Sequence, residues 1–169
     1  MVSLRAATAK DKGNVADVHV RSWQFGYQGL IPEDVLARMK PEDRAKRYTF
    51  GDGDATSPLT IVATEGEDIR GFVTLGQSRD VNSSHVGEIF ALYVDPDFWG
   101  QGVGRRLILN ARTYLREMSF TIANLWVLEG NLRAIRFYER DGWSSEGLSR
   151  EEVHWGVAVN EIRFTRSLI

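Results

Sequence analysis

Three glycines on alternate positions, Gly100, Gly102 and Gly104, lie between the apolar run "GEIFALYV" and two arginines, Arg105 and Arg106. Glycine lets backbone approach a ligand closely and adopt positive φ. A helical pattern follows, so the turn presents N–H groups at a helix start, where the dipole favours an anion. Two arginines in the first turn oppose that dipole, which points to an anion from outside the chain. A Walker loop, G-x-x-x-x-G-K-[ST], is excluded because Arg105 and Arg106 stand where Lys and Ser/Thr belong. A dinucleotide loop, G-x-G-x-x-G, is excluded because its third glycine falls on Arg105 or Leu107. A plain strand-to-helix turn is the alternative for this stretch taken alone.

The elements that must hold this turn can be read along the chain. "VSLRAA" reads as a first strand and "ATAKDKGNVADVHVRSWQFGY" as a helix, with Thr8 and Asp11 spaced as a capping box and Ala16, Val20, Trp23 and Tyr27 at helical spacing. Pro32 and Pro41 each open a short charged helix. "GDGDATSP" is a loop. "LTIVATEG" and "IRGFVTLGQSR" form a hairpin, "DVNSSH" a turn and "GEIFALYV" a third strand. The next helix runs from about Val103 to Met118, with Val103, Leu107, Ala111, Leu115 and Met118 on one stripe. "ANLWVL" is a strand, and "NLRAIRFYERDG" a short helix with Asn131 as N-cap and Gly142 as stop. "WSSEGL" and "VNEIRFTRSL" close the chain as strands. A run of strands followed by alternation with helices argues a mixed, largely antiparallel sheet containing one βαβ unit.

The 169 residues fit a single domain, 1–169, with one sizeable core. A hydrophobic content of 43%, a charged content of 26% and a formal net charge of −2 point to neither nucleic acid nor an anionic membrane. The absence of cysteine excludes disulfides, thiolate metal sites and a cysteine nucleophile. His19, His85 and His154 are scattered without metal spacing, and Asp95 and Asp97 around Pro96 read as turn chemistry, so no metal is expected. No segment reads as a signal peptide or membrane span, and a cytoplasmic protein is expected.

"LYVDPDFWGQGVGRRL" resembles motif A of the GCN5-related N-acetyltransferases (GNAT family), [QR]-x-x-G-x-[GA], with Trp99 where the family places Gln or Arg. "NLRAIRFYERDGW" resembles the family's motif B, N-x-x-[AS]-x-x-[FL]-Y-x-x-x-G-[FW], at every one of those positions. The resemblance covers roughly residues 60 to 143. It implies an α/β (α+β) fold: a twisted, mostly antiparallel mixed sheet of about seven strands, about four flanking helices and a splayed strand pair. The implied ligand is acetyl-CoA. Its pyrophosphate would lie on the turn from Trp99 through Gly100, Gln101, Gly102, Val103, Gly104 and Arg105. Its pantetheine arm would pair with the backbone of Leu92, Tyr93 and Val94, touching Asn131 and Tyr138.

Acyl transfer from a thioester to an amine needs a neutral amine, a donor for the oxyanion and a proton for the departing thiolate. Direct attack needs no cysteine. Tyr138 stands at motif B's tyrosine and is the candidate acid; by spacing alone, with Ala134 and Phe137, it reads as core. Glu88, at the start of "EIFALYV", is the candidate base and substrate contact. An ideal strand puts Glu88, Phe90, Leu92 and Val94 on one face, where a carboxylate is costly unless used or paired. Trp23 and Tyr27, ending the first helix, fall where the family lines its acceptor side, and an aromatic pair there can hold an amine by cation–π contact.

The expected activity is acyl-CoA-dependent N-acyltransfer, acetyl first, to a primary amine on a small molecule or a protein. The alternative is a non-catalytic acyl-CoA-binding regulatory module of the same fold, and a longer acyl group is a third reading. A homodimer is compatible with the chain.

Overall fold

The computed structural model describes residues 1–50, 57–80 and 82–169. The first six residues of the "GDGDATSP" loop and Val81 of the "DVNSSH" turn lie outside the described residues. The apolar runs assemble into a seven-stranded sheet: β1 (Ser3–Ala6), β2 (Leu59–Glu65), β3 (Asp68–Gln77), β4 (Val86–Val94), β5 (Ile122–Leu128), β6 (Ser144–His154) and β7 (Val157–Ser167). The spatial order is β1-β2-β3-β4-β5-β7-β6, antiparallel at every junction except β4–β5. Among the described residues five α-helices cover it, at the segments read as helical along the chain, where the family resemblance implied about four: α1 (Lys12–Gly26), α2 (Glu33–Arg38), α3 (Pro41–Ala45), α4 (Val103–Glu117) and α5 (Leu132–Arg140).

The stripe of α4 buries Val103, Leu107, Ile108, Ala111 and Leu115 against one face of the sheet, in a core shared with Tyr138 and Trp143. Met118 follows the helix end and is largely exposed, so the stripe stops one position early. Helix α1 covers the other face, burying Val15, Val18, Val20 and Trp23 in two further clusters. Its start is fastened by Asp11, whose Oδ2 accepts from Thr8 N at 2.7 Å and whose two oxygens accept from Arg5 at 2.8 and 2.9 Å. Within α1, Arg21 pairs with Asp95 and Asp97, which ties the helix to the segment leading into the glycine turn.

Two departures from an ideal sheet build the site. The parallel β4–β5 ladder pairs only Val86–Ile89 with Ile122–Leu125, and the strands then part. In addition, the β3–β4 register shifts: Thr74 faces Ala91 but Leu75 faces Ile89, leaving Phe90 as an extra residue. Such a bulge reverses the inside–outside alternation. Beyond it, Leu92 and Val94 join the α4 core; before it, Ile89 does, and a Cβ on Gly87 would meet Leu115. Glu88 therefore faces the opposite side from Leu92 and Val94, and the single face expected for all of them is broken at Phe90.

The last hairpin is also longer than the sequence suggested. β6 continues through Ser149–His154, and the two-residue turn Trp155-Gly156 has φ of 52° and 78°. Both values suit the tight turns whose twist matches a hairpin. No helix among the described residues is long and apolar enough to cross a membrane.

Candidate active site at the parted strands

Where β4 and β5 separate, a cavity of about 110 Å³ opens between Ile89–Tyr93 and Leu125–Leu128, with Asn131, Ala134 and Tyr138 of α5 on its wall. Asp95 N donates to Arg70 O across the β3–β4 ladder, so the alternate residues Val94 and Leu92 turn their backbone groups away from β3, into the gap. Tyr93 turns its own backbone toward β3 and offers the site its side chain. The Val94 carbonyl accepts from Ser22 Oγ at 2.9 Å and Trp99 Nε1 at 2.8 Å. That leaves the Val94 N–H and both backbone groups of Leu92 facing the gap.

The glycine turn runs beside the end of β4: a Cβ on Gly104 would lie 3.6 Å from Val94 Cγ2. Gly100 and Gly102 have φ of 74° and 83°, and a Cβ at either would enter open space. Gly102 caps α4, and its carbonyl accepts Arg106 N, so the N–H groups of Val103, Gly104 and Arg105 begin the helix without intrahelical partners. Gly104 serves packing: a Cβ there would come within 3.3 Å of the Phe137 ring, so its absence lets α5 close on α4. Trp99 earns its place differently from a Gln or Arg. Its indole locks onto Val94 and carries the Arg133 guanidinium 3.5 Å above its ring, joining β4 to α5. Gln101 Nε2 donates to Asp97 O, which stiffens the turn.

Tyr138 is 9% exposed, and its hydroxyl makes no hydrogen bond to protein among the described residues. Burial, and then the neighbouring Tyr93, push its phenol well above the ordinary range, so it keeps its proton at neutral pH. Asn131 caps α5 by accepting from Ala134 N at 3.2 Å while also lining the cavity. Tyr27 meets Tyr93, hydroxyl to hydroxyl, at 3.4 Å, and Trp23 packs edge-on against Tyr27 at 4.6 Å. Trp23 is therefore both a core residue and a wall of the cavity.

A second, wider groove of about 700 Å³ runs along the α1 face. Among the described residues, Trp23, Phe90, Ala91, Tyr93 and His154 line both spaces, so the two meet there. His154 Nε2 lies 2.8 Å from Glu161 Oε1, and Glu161 Oε2 accepts from Arg150 Nε at 2.9 Å. Burial pushes the Glu161 carboxyl up, but the bonds from His154 and Arg150 outweigh it and hold it below the usual range. With Nε2 donating to Glu161, Nδ1 is the nitrogen left to take a proton. In the sequence His154 is one of three scattered histidines, and Glu161 carries no motif that marks it. The signal for both was the Trp155-Gly156 turn, which sets His154 on β6 close to Glu161 on β7.

Glu88 sits at the edge of this arrangement. It is 3% exposed, accepts from Ser78 Oγ at 3.2 Å and Arg79 N at 3.1 Å, and is not among the residues lining either space. Burial pushes its carboxyl above the usual range against the opposing pull of Arg79. The structure thus brings Trp23, Tyr27, Tyr93, Asn131 and Tyr138 around one cavity and leaves Glu88 behind its wall.

Residues 21–143 match the profile of the Acetyltransferase (GNAT) family. An uncharacterized N-acetyltransferase of Archaeoglobus fulgidus is 43% identical over 153 residues, covering 89% of this chain and 95% of its own length. The N-acetyltransferase YuaI of Bacillus subtilis, also named uncharacterized, is 27% identical over 163 residues, 96% of this chain and 91% of its own. Among solved structures, the PaiA N-acetyltransferase of Thermoplasma acidophilum in complex with coenzyme A superposes with a TM-score of 0.76 at 17% identity, covering 99% of both chains. With its parted parallel strands, its glycine-capped helix and these relatives, the chain belongs to the GNAT family of N-acetyltransferases.

Proposed function

We propose that this enzyme transfers acetyl from acetyl-CoA to a primary amine by direct attack within a ternary complex. The observation that carries this reading is the parting of β4 and β5 beyond Ile89 and Leu125, beside the N-terminus of α4 and under the hydroxyl of Tyr138, which has no partner among the described residues.

The residues fit the cosubstrate. Positive φ at Gly100 and Gly102 keeps the turn free of side chains, and the N–H groups of Val103, Gly104 and Arg105 suit a pyrophosphate. The gap-facing backbone of Leu92 and Val94 suits an arm bearing amides, and Asn131 offers its side-chain amide alongside. Acetyl-CoA supplies the activated acetyl group as a thioester. The Val94 N–H is the donor available for charge developing on the acyl oxygen. As the amine nitrogen forms the new amide bond and the carbon–sulfur bond breaks, Tyr138 gives its proton to the sulfur. The amine's proton passes to His154 Nδ1, with Glu161 holding the ring and stabilising its charge. Glu88 is the competing base. Its raised basicity and its position on the groove-side face favour it, and its burial requires that it act through water.

The test is thiol release from acetyl-CoA with a panel of amines, with products identified by mass. Amine-dependent release with a mass gain of one acetyl group supports the reading. Tight coenzyme A binding with no turnover on any amine would instead favour a regulatory module.

A further inference from the structure

Among the described residues, the arginines lining the groove on the α1 face, Arg44, Arg47 and Arg79, have no acidic neighbour in that lining. Arg44 Cζ lies 5.3 Å from the Tyr48 ring centroid and Arg79 Cζ 4.2 Å from that of Phe90, within cation–π range. A guanidinium held against an aromatic ring still carries several N–H donors, and their fork matches an oxyanion. The surface between them is aromatic, with Phe50, Phe72 and Trp155 among its members. From Arg44 a chain of contacts leads inward. Arg44 Nε reaches Tyr48 Oη at 3.4 Å, Tyr48 Oη lies 2.9 Å from His19 Nδ1, and the His19 ring centroid is 4.6 Å from that of Tyr93 at the junction with the thioester cavity. Burial, with Arg44 adding to it, holds His19 well below the usual imidazole range, so it adds no charge of its own.

We propose that the acceptor is a small primary amine carrying its own oxyanion on an apolar or aromatic body. This rests on the transferase reading above and names the substrate class of that same site. The arginines take the oxyanion, the aromatic walls take the body, and the amine is directed to His154 where groove and cavity meet. A polyamine is disfavoured because its remaining ammonium groups would face guanidinium groups of like charge.

The test uses the intact wild-type protein with saturating acetyl-CoA. Leucine and phenylalanine are compared with their carboxamides, with their aminophosphonate analogues and with spermidine. The carboxamides hold the more readily deprotonated amine, so basicity favours them, and a preference for the acids must come from the charge. The expected result is a kcat/KM at least about tenfold higher for the oxyanion-bearing amines than for the carboxamides, the scale of one charge-assisted hydrogen bond. The ratio of carboxylate to phosphonate identifies which oxyanion fits. Arg44→Gln and Arg79→Gln should raise KM for the acids and bring the acid-to-amide ratio toward one. Spermidine or the carboxamides as better substrates would overturn the inference and leave the transferase reading intact, as would a ratio that survives both substitutions. If no amine in the panel is acetylated, the inference falls. The transferase reading falls with it only if calorimetry also finds no coenzyme A binding.

Discussion

The two sides of the parted strands are built by different means. The proposed cosubstrate side comes from contiguous sequence: a glycine turn running into α4, and a helix whose cap, tyrosine and stop lie within residues 131–142. Its polar groups are largely backbone. The proposed acceptor side is assembled from α1, the α3 region, β3, β4 and the β6–β7 hairpin, and it would work through side chains such as Trp23, Arg44, Arg79 and His154. Backbone geometry at a helix start tolerates much side-chain change, which suits a ligand common to a family. Side chains gathered from distant segments change one at a time, which suits a ligand particular to one enzyme.

Substitutions on the two sides should separate cleanly. The largest effect is expected for Tyr138→Phe, which keeps the ring and removes the donor. Turnover should fall by about 10²–10⁴-fold. Coenzyme A affinity by calorimetry should change far less than turnover, and equal losses in both would return Tyr138 to a packing role. On the acceptor side, His154→Gln should lower kcat/KM by about 10²-fold near neutral pH. The loss should shrink as pH rises toward the amine's pKa, near 10 for an alkylamine, because solvent then removes the proton. Glu88→Gln should show the smaller loss over the same range. If Glu88→Gln gives the pH-dependent loss and His154→Gln a flat one, the base assignments exchange.

Smaller effects should follow at positions that support the two sides. Gly102→Val puts a Cβ into the space above the helix start and forces a β-branched residue to φ of 83°. Coenzyme A affinity should weaken about tenfold or more, consistent with losing one or two charge-assisted contacts. Affinity equal to wild type would remove the turn from the site. Far from both sides, Asp11→Asn should reduce stability by about 1–2 kcal/mol, discounted because Arg5 is half exposed. The hydrogen bonds from Arg5 hold the Asp11 carboxyl down at about 2. A depressed folded-state pKa stabilises above the unfolded value, about 3.9, and that stability disappears as pH falls through about 2. The gap between wild type and variant in urea melts should therefore close between about pH 4 and pH 2. A gap constant across that range would assign the role of Asp11 to geometry alone.

The cosubstrate side was legible because its signals are local. The spacing of Gly100, Gly102 and Gly104, the Asn131 cap and the Gly142 stop each state a backbone requirement within a few residues. Seven strands and the closing of α4 on the sheet could be read for the same reason. On the acceptor side only Trp23 and Tyr27 could be placed in advance, through the family resemblance, and four other residues show why the rest could not. Phe90 carries no mark of the bulge that turns Glu88 to the opposite face, since a bulge is a property of the pairing with β3. Trp155 is an unusual residue for a two-residue turn, so β6 reads as ending before His154. Arg44 and Arg79 resemble any solvated charges until the fold draws them to one groove. Trp99 departs from the family pattern by residue type, and its reason lies in two partners, Val94 and Arg133, that meet only in the folded chain.

The short β4–β5 ladder has a mechanical consequence. Strands β1 to β4 form one plate and β5, β7 and β6 another, and four residue pairs form the seam between them. A ligand that hydrogen-bonds along the unzipped length acts as a rivet across that seam. Ligand binding stabilises a fold by RT ln(1 + [L]/Kd), about 2.7 kcal/mol at a hundredfold excess over Kd. Here that gain should be concentrated at the seam. Amide hydrogen exchange should slow most at Leu92 and Val94 and along Trp126–Leu128, while the distant β1–β2 edge keeps its rate. The empty enzyme would then breathe along one line, and filling the active site would turn two plates into one.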